Sequence, residues 1–164
     1  MIIVKSIDEI EAVSYKNFSC GDHELDKYLQ MFARQNHKKG IDKSFVAISN
    51  ECVIGFYTIS MSNIEFVDLL DAHKKGLPKY PIPVAKIGRL AVDMQFQGKK
   101  IGTALLIDAL GKIKEASTVV AAYAVIVDAK NEKAKKFYES FGFVSYKNEL
   151  SLYLPMKTVI KLLE

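Results

Sequence analysis

The chain has no tryptophan, and only two cysteines, three histidines and four prolines among its 164 residues. Cys20 and Cys52 form no Cys-x-x-Cys pair and leave room for one disulfide at most, so the chain reads as reduced and cytosolic. His23, His37 and His73 are scattered, with neither metal-ligand nor catalytic-triad spacing. They are expected at the surface, and no metal is expected. Three of the prolines fall within Leu77–Pro83, which makes the stretch from Lys74 to Pro83 extended. Long hydrophobic runs are missing too. The longest, Val119–Val127, is half of what a membrane helix needs. The N-terminus turns polar by Lys5 and Ser6 and lacks a signal peptide's apolar core. These absences predict a soluble, cytoplasmic protein without membrane contact.

What is present is globular composition, with 49% apolar and 26% charged residues. At this length one domain spanning 1–164 is expected, large enough to fold without a metal or disulfide. The net charge of +4 is uneven: residues 1–80 hold 10 basic and 11 acidic groups, residues 81–164 hold 13 and 8. Between Lys99 and Lys136 eight lysines face four acids. Such a block suits an anionic ligand.

Ser6-Ile7-Asp8-Glu9 has capping-box spacing and predicts a short first helix. Leu25, Tyr28, Leu29 and Phe32 predict an amphipathic helix over 22–37, with Asp22 as N-cap. Ser44–Ser49 and Glu51–Met61 flank Asn50 as a hairpin, and a strand follows over Lys86–Val92. Gln97–Gly102 is a glycine-flanked turn into a helix through Leu106, Ala109, Leu110 and Ile113. Val119–Val127 reads as a strand covered on both faces. A helix through Ala134, Phe137, Tyr138 and Phe141 stops at Gly142, and a hairpin about Asn148 closes the chain through Met156. The order predicts an α/β (α+β) fold with a mixed, mostly antiparallel central sheet flanked by helices.

A strand running into a glycine-containing loop and then a helix presents free backbone N–H groups, which suit a phosphate or pyrophosphate. The loop is neither a Walker A nor a Gly-x-Gly-x-x-Gly sequence. Gly88-Arg89-Leu90-Ala91-Val92-Asp93, followed by Gln97-Gly98-Lys99-Lys100-Ile101-Gly102-Thr103, resembles motif A of the GNAT superfamily of acetyl-CoA-dependent N-acetyltransferases. Lys100 departs from the pattern, standing where the family usually has its middle glycine. Val125-Ile126-Val127-Asp128 through Asn131, Ala134, Phe137-Tyr138 and Gly142-Phe143 is similar to motif B of the same superfamily. The resemblance implies a GNAT fold, splayed where acetyl-CoA binds. It further implies that Gln97, Gly98, Lys99, Lys100, Ile101, Gly102 and Thr103 surround the CoA pyrophosphate. Leu90, Ala91 and Val92 would lie along the pantetheine and polarise the acetyl carbonyl, Asn131 and Phe137 would complete the acetyl-CoA site, and Tyr138 would be the catalytic acid.

Phe18-Ser19-Cys20-Gly21-Asp22, Leu25–Leu29, Gly55–Ser60 and Leu77–Pro83 leading into Arg89–Asp93 extend the resemblance to the GNAT toxins of bacterial toxin–antitoxin pairs. Those toxins acetylate the α-amino group of aminoacyl-tRNA. The likeness implies that acceptor, a homodimer and a ribbon-helix-helix antitoxin as partner. Other readings are an acetyltransferase for a small-molecule amine, a protein N-terminus or a lysine, and a CoA-binding regulatory module without turnover.

The residues set their own conditions. A tyrosine hydroxyl with pKa near 10 is a fitting proton donor to a departing thiolate. Yet a tyrosine on an apolar helix face is ordinarily core. Asn131 is equally suited to cap the following helix. No side chain stands out as general base, and Glu65, Asp68 and Asp71 read as a solvated face. An α-amine with pKa near 8 manages without one better than a lysine near 10.4. A tRNA acceptor needs cations outside the CoA loop, and the candidates are Arg34, Lys38, Lys39, Lys43, Lys79 and Arg89. Phe56 and Tyr57 are candidates to stack on the terminal adenine, or else are core.

Overall fold

The computed structural model describes residues 2–164. Seven strands form one open sheet in the order β1-β2-β3-β4-β5-β7-β6. They are β1 (Ile3–Ser6), β2 (Lys43–Ser49), β3 (Cys52–Ile64), β4 (Ile82–Val92), β5 (Ala124–Asp128), β6 (Val144–Ser145) and β7 (Ser151–Pro155). The pairs β1/β2, β2/β3, β5/β7 and β6/β7 are antiparallel. Helices α1 (His23–Lys27), α2 (Ala33–Lys39), α3 (Asp71–Lys74), α4 (Ile101–Ala116), α5 (Glu132–Glu139) and α6 (Met156–Leu162) flank it. Among the described residues no helix is long and apolar enough to cross a membrane. The chain packs as two compact units, the first running to Ser60 and resuming over Ile87–Ala109, the second comprising Met61–Lys86 and Leu110–Glu164.

In the first unit, the β2–β3 hairpin turns through Asn50 and Glu51, both at positive φ (50° and 64°), the backbone of a tight two-residue turn. The register slips between Ala47 and Ile48, leaving Ile54 of β3 unpaired with β2. The freed Ile54 carbonyl accepts the Asp93 N–H at 2.8 Å, so the bulge holds the end of β4. Asp22 caps α1 as expected, accepting from the N–H groups of Glu24 and Leu25. The single helix predicted over 22–37 is interrupted by one wide π turn, Tyr28–Phe32, before α2. The Ser6 capping box opens only a 3₁₀ turn, Ile7–Glu9, with the Ser6 N–H on Glu9 Oε1 at 3.3 Å. Ile7, Phe18, Tyr28, Leu29, Val46 and Phe56 anchor this unit's core.

His37 corrects the expectation of three surface histidines. It is buried, its Nδ1 accepting the Ser44 N–H at 3.0 Å, which leaves Nε2 carrying the proton 3.1 Å from Ser6 Oγ. Burial and the nearby Lys43 ammonium lower its pKa. His73, half-buried, hydrogen-bonds the Tyr153 hydroxyl, and only His23 lies open.

In the second unit, Ile64, Leu69, Val84, Ala124, Ile126 and Tyr153 form the core. The strand expected over Val119–Val127 is shorter, because α4 runs to Ala116 and its last carbonyl accepts the N–H groups of Val119 and Val120. These valines, 87% and 53% exposed, belong to a helix end rather than to β5. Asn148 closes the final hairpin as expected, its Oδ1 accepting from Leu150 and Ser151 N–H. The terminal helix α6 was not anticipated, although Met156, Val159 and Ile160 carry helical spacing and Val159 is fully buried.

Candidate active site

The first unit carries the glycine loop. Leu90, Ala91 and Val92 end β4, with Ala91 buried and its neighbours half-buried. Beyond them the Asp93 carboxylate accepts the Ser19 N–H at 3.1 Å and the Gln95 N–H at 3.0 Å. Gln97 then uses its side chain as a staple. Its Nε2 donates to the Val92 carbonyl at 2.9 Å and to the Cys20 carbonyl at 3.0 Å. The start of the loop is thereby pinned to the backbone at the end of β4 and at Cys20.

Gly98 sits at φ +80° and Lys100 at φ +63°. Lys100 thus adopts the left-handed conformation for which glycine is suited, and the departure from the motif leaves that backbone geometry in place. Lys99, between two positive-φ residues, is itself outside that region. This alternation of backbone sign is the kind that turns consecutive N–H groups toward one side. Gly98, Lys99 and Lys100 are exposed. Ile101, only 6% exposed, roots the first turn of α4 in the core, with Gly102 and Thr103 half-buried beside it. The N–H groups of α4's first turn lie ahead of its first internal bond, Ala104 N–H to the Lys100 carbonyl at 3.2 Å. Two lysines, a helix N-terminus and an open loop backbone fit a pyrophosphate.

Gly55 permits this arrangement. A Cβ there would stand 2.8 Å from Leu105 Cδ1 of α4 and 3.0 Å from the Ala91 carbonyl oxygen of β4. No larger residue lets β3, β4 and α4 approach so closely.

The second unit carries the tyrosine. Asn131 caps α5, its Oδ1 accepting the Ala134 N–H at 2.8 Å, so the capping role weighed from sequence is realised. Tyr138 is 7% exposed and sits between aromatic rings, 5.2 Å from Phe137 and 5.5 Å from Phe143 between centroids. Burial pushes its hydroxyl pKa up to about 12. The phenol is therefore protonated at every physiological pH and has a proton to donate. Phe137 is half-buried and also meets Phe141 at 5.3 Å.

The candidate acceptor residues sort differently. Phe56 and Tyr57 are fully buried, and Tyr57 donates to Asp108 at 2.5 Å, so they are core and not a stacking surface. Arg34 is engaged by the Ile10 carbonyl and the Tyr15 hydroxyl, and Lys43 by the His37 carbonyl. Lys38, Lys39 and Lys79 are exposed. Arg89 lies over the Tyr28 ring, its Cζ 3.4 Å from the centroid, with Nη1 3.2 Å from Asp42 Oδ2. Glu65 and Asp71 are exposed, Asp71 pairing with Lys74 at 3.3 Å, while Asp68 is half-buried. A recess of about 280 Å³ lined by Glu24, Leu25, Lys27, Tyr28, Phe32 and Arg89 was missed. Its sequence signal was helical spacing alone, which reads equally well as core.

The model of the acetyltransferase (GNAT) family matches residues 5–143, and the chain belongs to that family. It is 34% identical over 148 residues to the tRNA-acetylating toxin of Mycobacterium tuberculosis (strain ATCC 25618 / H37Rv), covering 90% of this chain and 89% of that one. A solved structure of AtaT complexed with acetyl-methionyl-tRNAfMet superimposes with TM-score 0.92 at 28% identity, covering 100% of both chains. A tyrosine-to-phenylalanine variant of the AtaT toxin, bound to the C-terminus of the antitoxin AtaR and acetyl-CoA, gives 0.83 at 28% identity, covering 98% and 97%.

Proposed function

We propose that this acetyltransferase moves acetyl from acetyl-CoA to the α-amino group of aminoacyl-tRNA, and so stops translation. The observation that carries this reading is the likeness to a tRNA-acetylating toxin over nine-tenths of both chains, with AtaT bound to acetyl-methionyl-tRNA matching end to end. The neutral α-amine attacks the thioester carbonyl, the C–S bond breaks, the amine releases a proton, and the thiolate takes one up. We assign the donated proton to Tyr138, which burial keeps protonated. A backbone amide of Leu90, Ala91 or Val92, where we take the sheet to splay, polarises the carbonyl. The loop amides from Gly98 to Thr103, with Lys99 and Lys100, hold the pyrophosphate. Asn131 and Phe137 flank the pantetheine, and the Gln97 staple keeps the loop preformed.

An acceptor amine with pKa near 8 is partly neutral at pH 7, which accords with a site in which we assign no general base. Charged tRNA is a cytoplasmic substrate, so we place the enzyme in the cytoplasm. We take a homodimer as its working form and an antitoxin as its partner, in keeping with the antitoxin-bound AtaT. The test is thiol release from acetyl-CoA with charged against deacylated tRNA. The reading expects release with charged tRNA only. Equal release with both, or release only with small amines, refutes it.

A further inference from the structure

The recess beside Arg89 lies wholly within the first unit and apart from the glycine loop's residues. With its Cζ 3.4 Å above the Tyr28 centroid, the Arg89 guanidinium can only lie flat on the ring. Three contacts fix that pose. Arg89 Nη1 donates to Asp42 Oδ2, the Tyr28 hydroxyl donates to the same carboxylate at 2.6 Å, and Asn36 Nδ2 donates to the Tyr28 hydroxyl at 3.3 Å. Asp42's side chain is only 10% exposed, whereas Arg89's is 34% exposed and lines the recess. One guanidinium face is therefore covered by Tyr28, and the exposed third of the Arg89 side chain lies in the wall of the recess.

The chemistry of the recess selects its occupant. Asp42 already balances the Arg89 charge, and on the wall the Glu24 carboxylate offsets the Lys27 ammonium, so the recess holds no surplus positive charge to draw a phosphate. What Arg89 offers is a rigid plane, and the wide Tyr28–Phe32 turn sets Phe32, 38% exposed, and Leu25 around it as apolar walls. At about 280 Å³ the space suits one ring system and is smaller than pockets that enclose larger ligands. Nucleobases at unpaired RNA ends are held by stacking on aromatic rings and guanidinium planes.

We propose that Arg89, laid on Tyr28 and walled by Phe32, is the stacking platform for the 3′-terminal adenine of the acceptor tRNA. This rests on the reading that aminoacyl-tRNA is the acceptor, and it takes over the role the sequence offered to Phe56 and Tyr57. Stacking of this kind contributes about 1–3 kcal/mol per base, roughly 5- to 150-fold.

The test compares two acceptors at saturating acetyl-CoA, so that the adenosine moiety cannot act through the donor's site. They are the 2′(3′)-aminoacyl ester of adenosine and the methyl ester of the same amino acid, chosen as one the enzyme acetylates on tRNA. The wild type is expected to favour the adenosine ester at least tenfold in kcat/KM, carried by KM. Arg89→Lys keeps the charge but removes the plane, and is expected to bring the ratio within about threefold of unity. Phe32→Ala, at an exposed position, is expected to lower it part of the way and carries the test should R89K not fold. A wild-type ratio near one, or a ratio unchanged in the variants, refutes the platform alone. Failure to acetylate any charged tRNA refutes the acceptor reading, and the platform with it.

Discussion

Replacing Tyr138 with phenylalanine separates catalysis from packing more cleanly than any other change in this chain. The ring is buried between Phe137 and Phe143, while burial alone accounts for its raised hydroxyl pKa. Removing an oxygen that adds nothing to the packing costs the fold little, and the midpoint of urea unfolding is expected to stay the same or rise slightly. Turnover responds differently. With the phenol near 12 and a thiol near 8.5, complete proton transfer runs uphill by about 3.5 pK units, or about 5 kcal/mol. In the proposed role the hydroxyl thus works chiefly as a hydrogen bond to charge developing on sulfur. Such charge-assisted bonds contribute about 1.5–3 kcal/mol, which predicts a fall in kcat of roughly 10- to 150-fold. Acetyl-CoA affinity, measured by calorimetry, is expected to stay within about threefold. The wild-type kcat is expected to show no alkaline decline from this group below about pH 11, since it remains protonated. Unchanged turnover in Tyr138→Phe, or a loss that merely tracks lost stability, refutes the assignment.

Further outcomes follow from the same geometry. Gly55→Ala drives a methyl group against Leu105 and the Ala91 carbonyl, and is expected to cost about 1–3 kcal/mol in urea unfolding. Lys100→Gly relieves a left-handed lysine and is expected to raise stability by up to about 1 kcal/mol, read in the same assay. His37 has a folded pKa below its unfolded value of 6.5, so the unfolded chain binds more protons in that window. Stability is therefore present above pH 6.5 and falls as pH drops toward the folded pKa, and His37→Gln should flatten that slope. If the exposed Lys38, Lys39 and Lys79 each meet one phosphate, a rise from 50 to 200 mM salt weakens tRNA binding about 40-fold. Acetyl-CoA binding should change far less.

Local signals in the sequence located most of the elements and the two motifs, though not β1, α3 or α6, because each signal rests on neighbours a few residues apart. Asp22, Asn131 and Asn148 cap or turn where their spacing says they should. The misses are of another kind. Val119 and Val120 look like strand residues until α4 is seen to claim their N–H groups. The π turn at Tyr28–Phe32 preserves the apolar pattern that predicted an unbroken helix. Burial of His37 depends on Ser6 and Ser44, residues from two other segments. The Gln97 staple joins carbonyls at Cys20 and Val92, and the Arg89 platform joins Tyr28 to Asp42. Such long-range pairs have no periodicity to betray them. The motifs therefore pointed to the proposed chemistry, while the contacts that brace the loop and Arg89 emerged only from the fold.

One measurement reads the identity of the acceptor atom directly. The protein is incubated with acetyl-labelled CoA and total charged tRNA, the tRNA is then deacylated with mild base, and the label is followed. With the α-amino group as acceptor, label is expected to leave the tRNA with the amino acid and to be recovered as N-acetyl amino acid. Label retained on the deacylated tRNA, or never transferred to it, rules out the α-amino group of aminoacyl-tRNA as the acceptor.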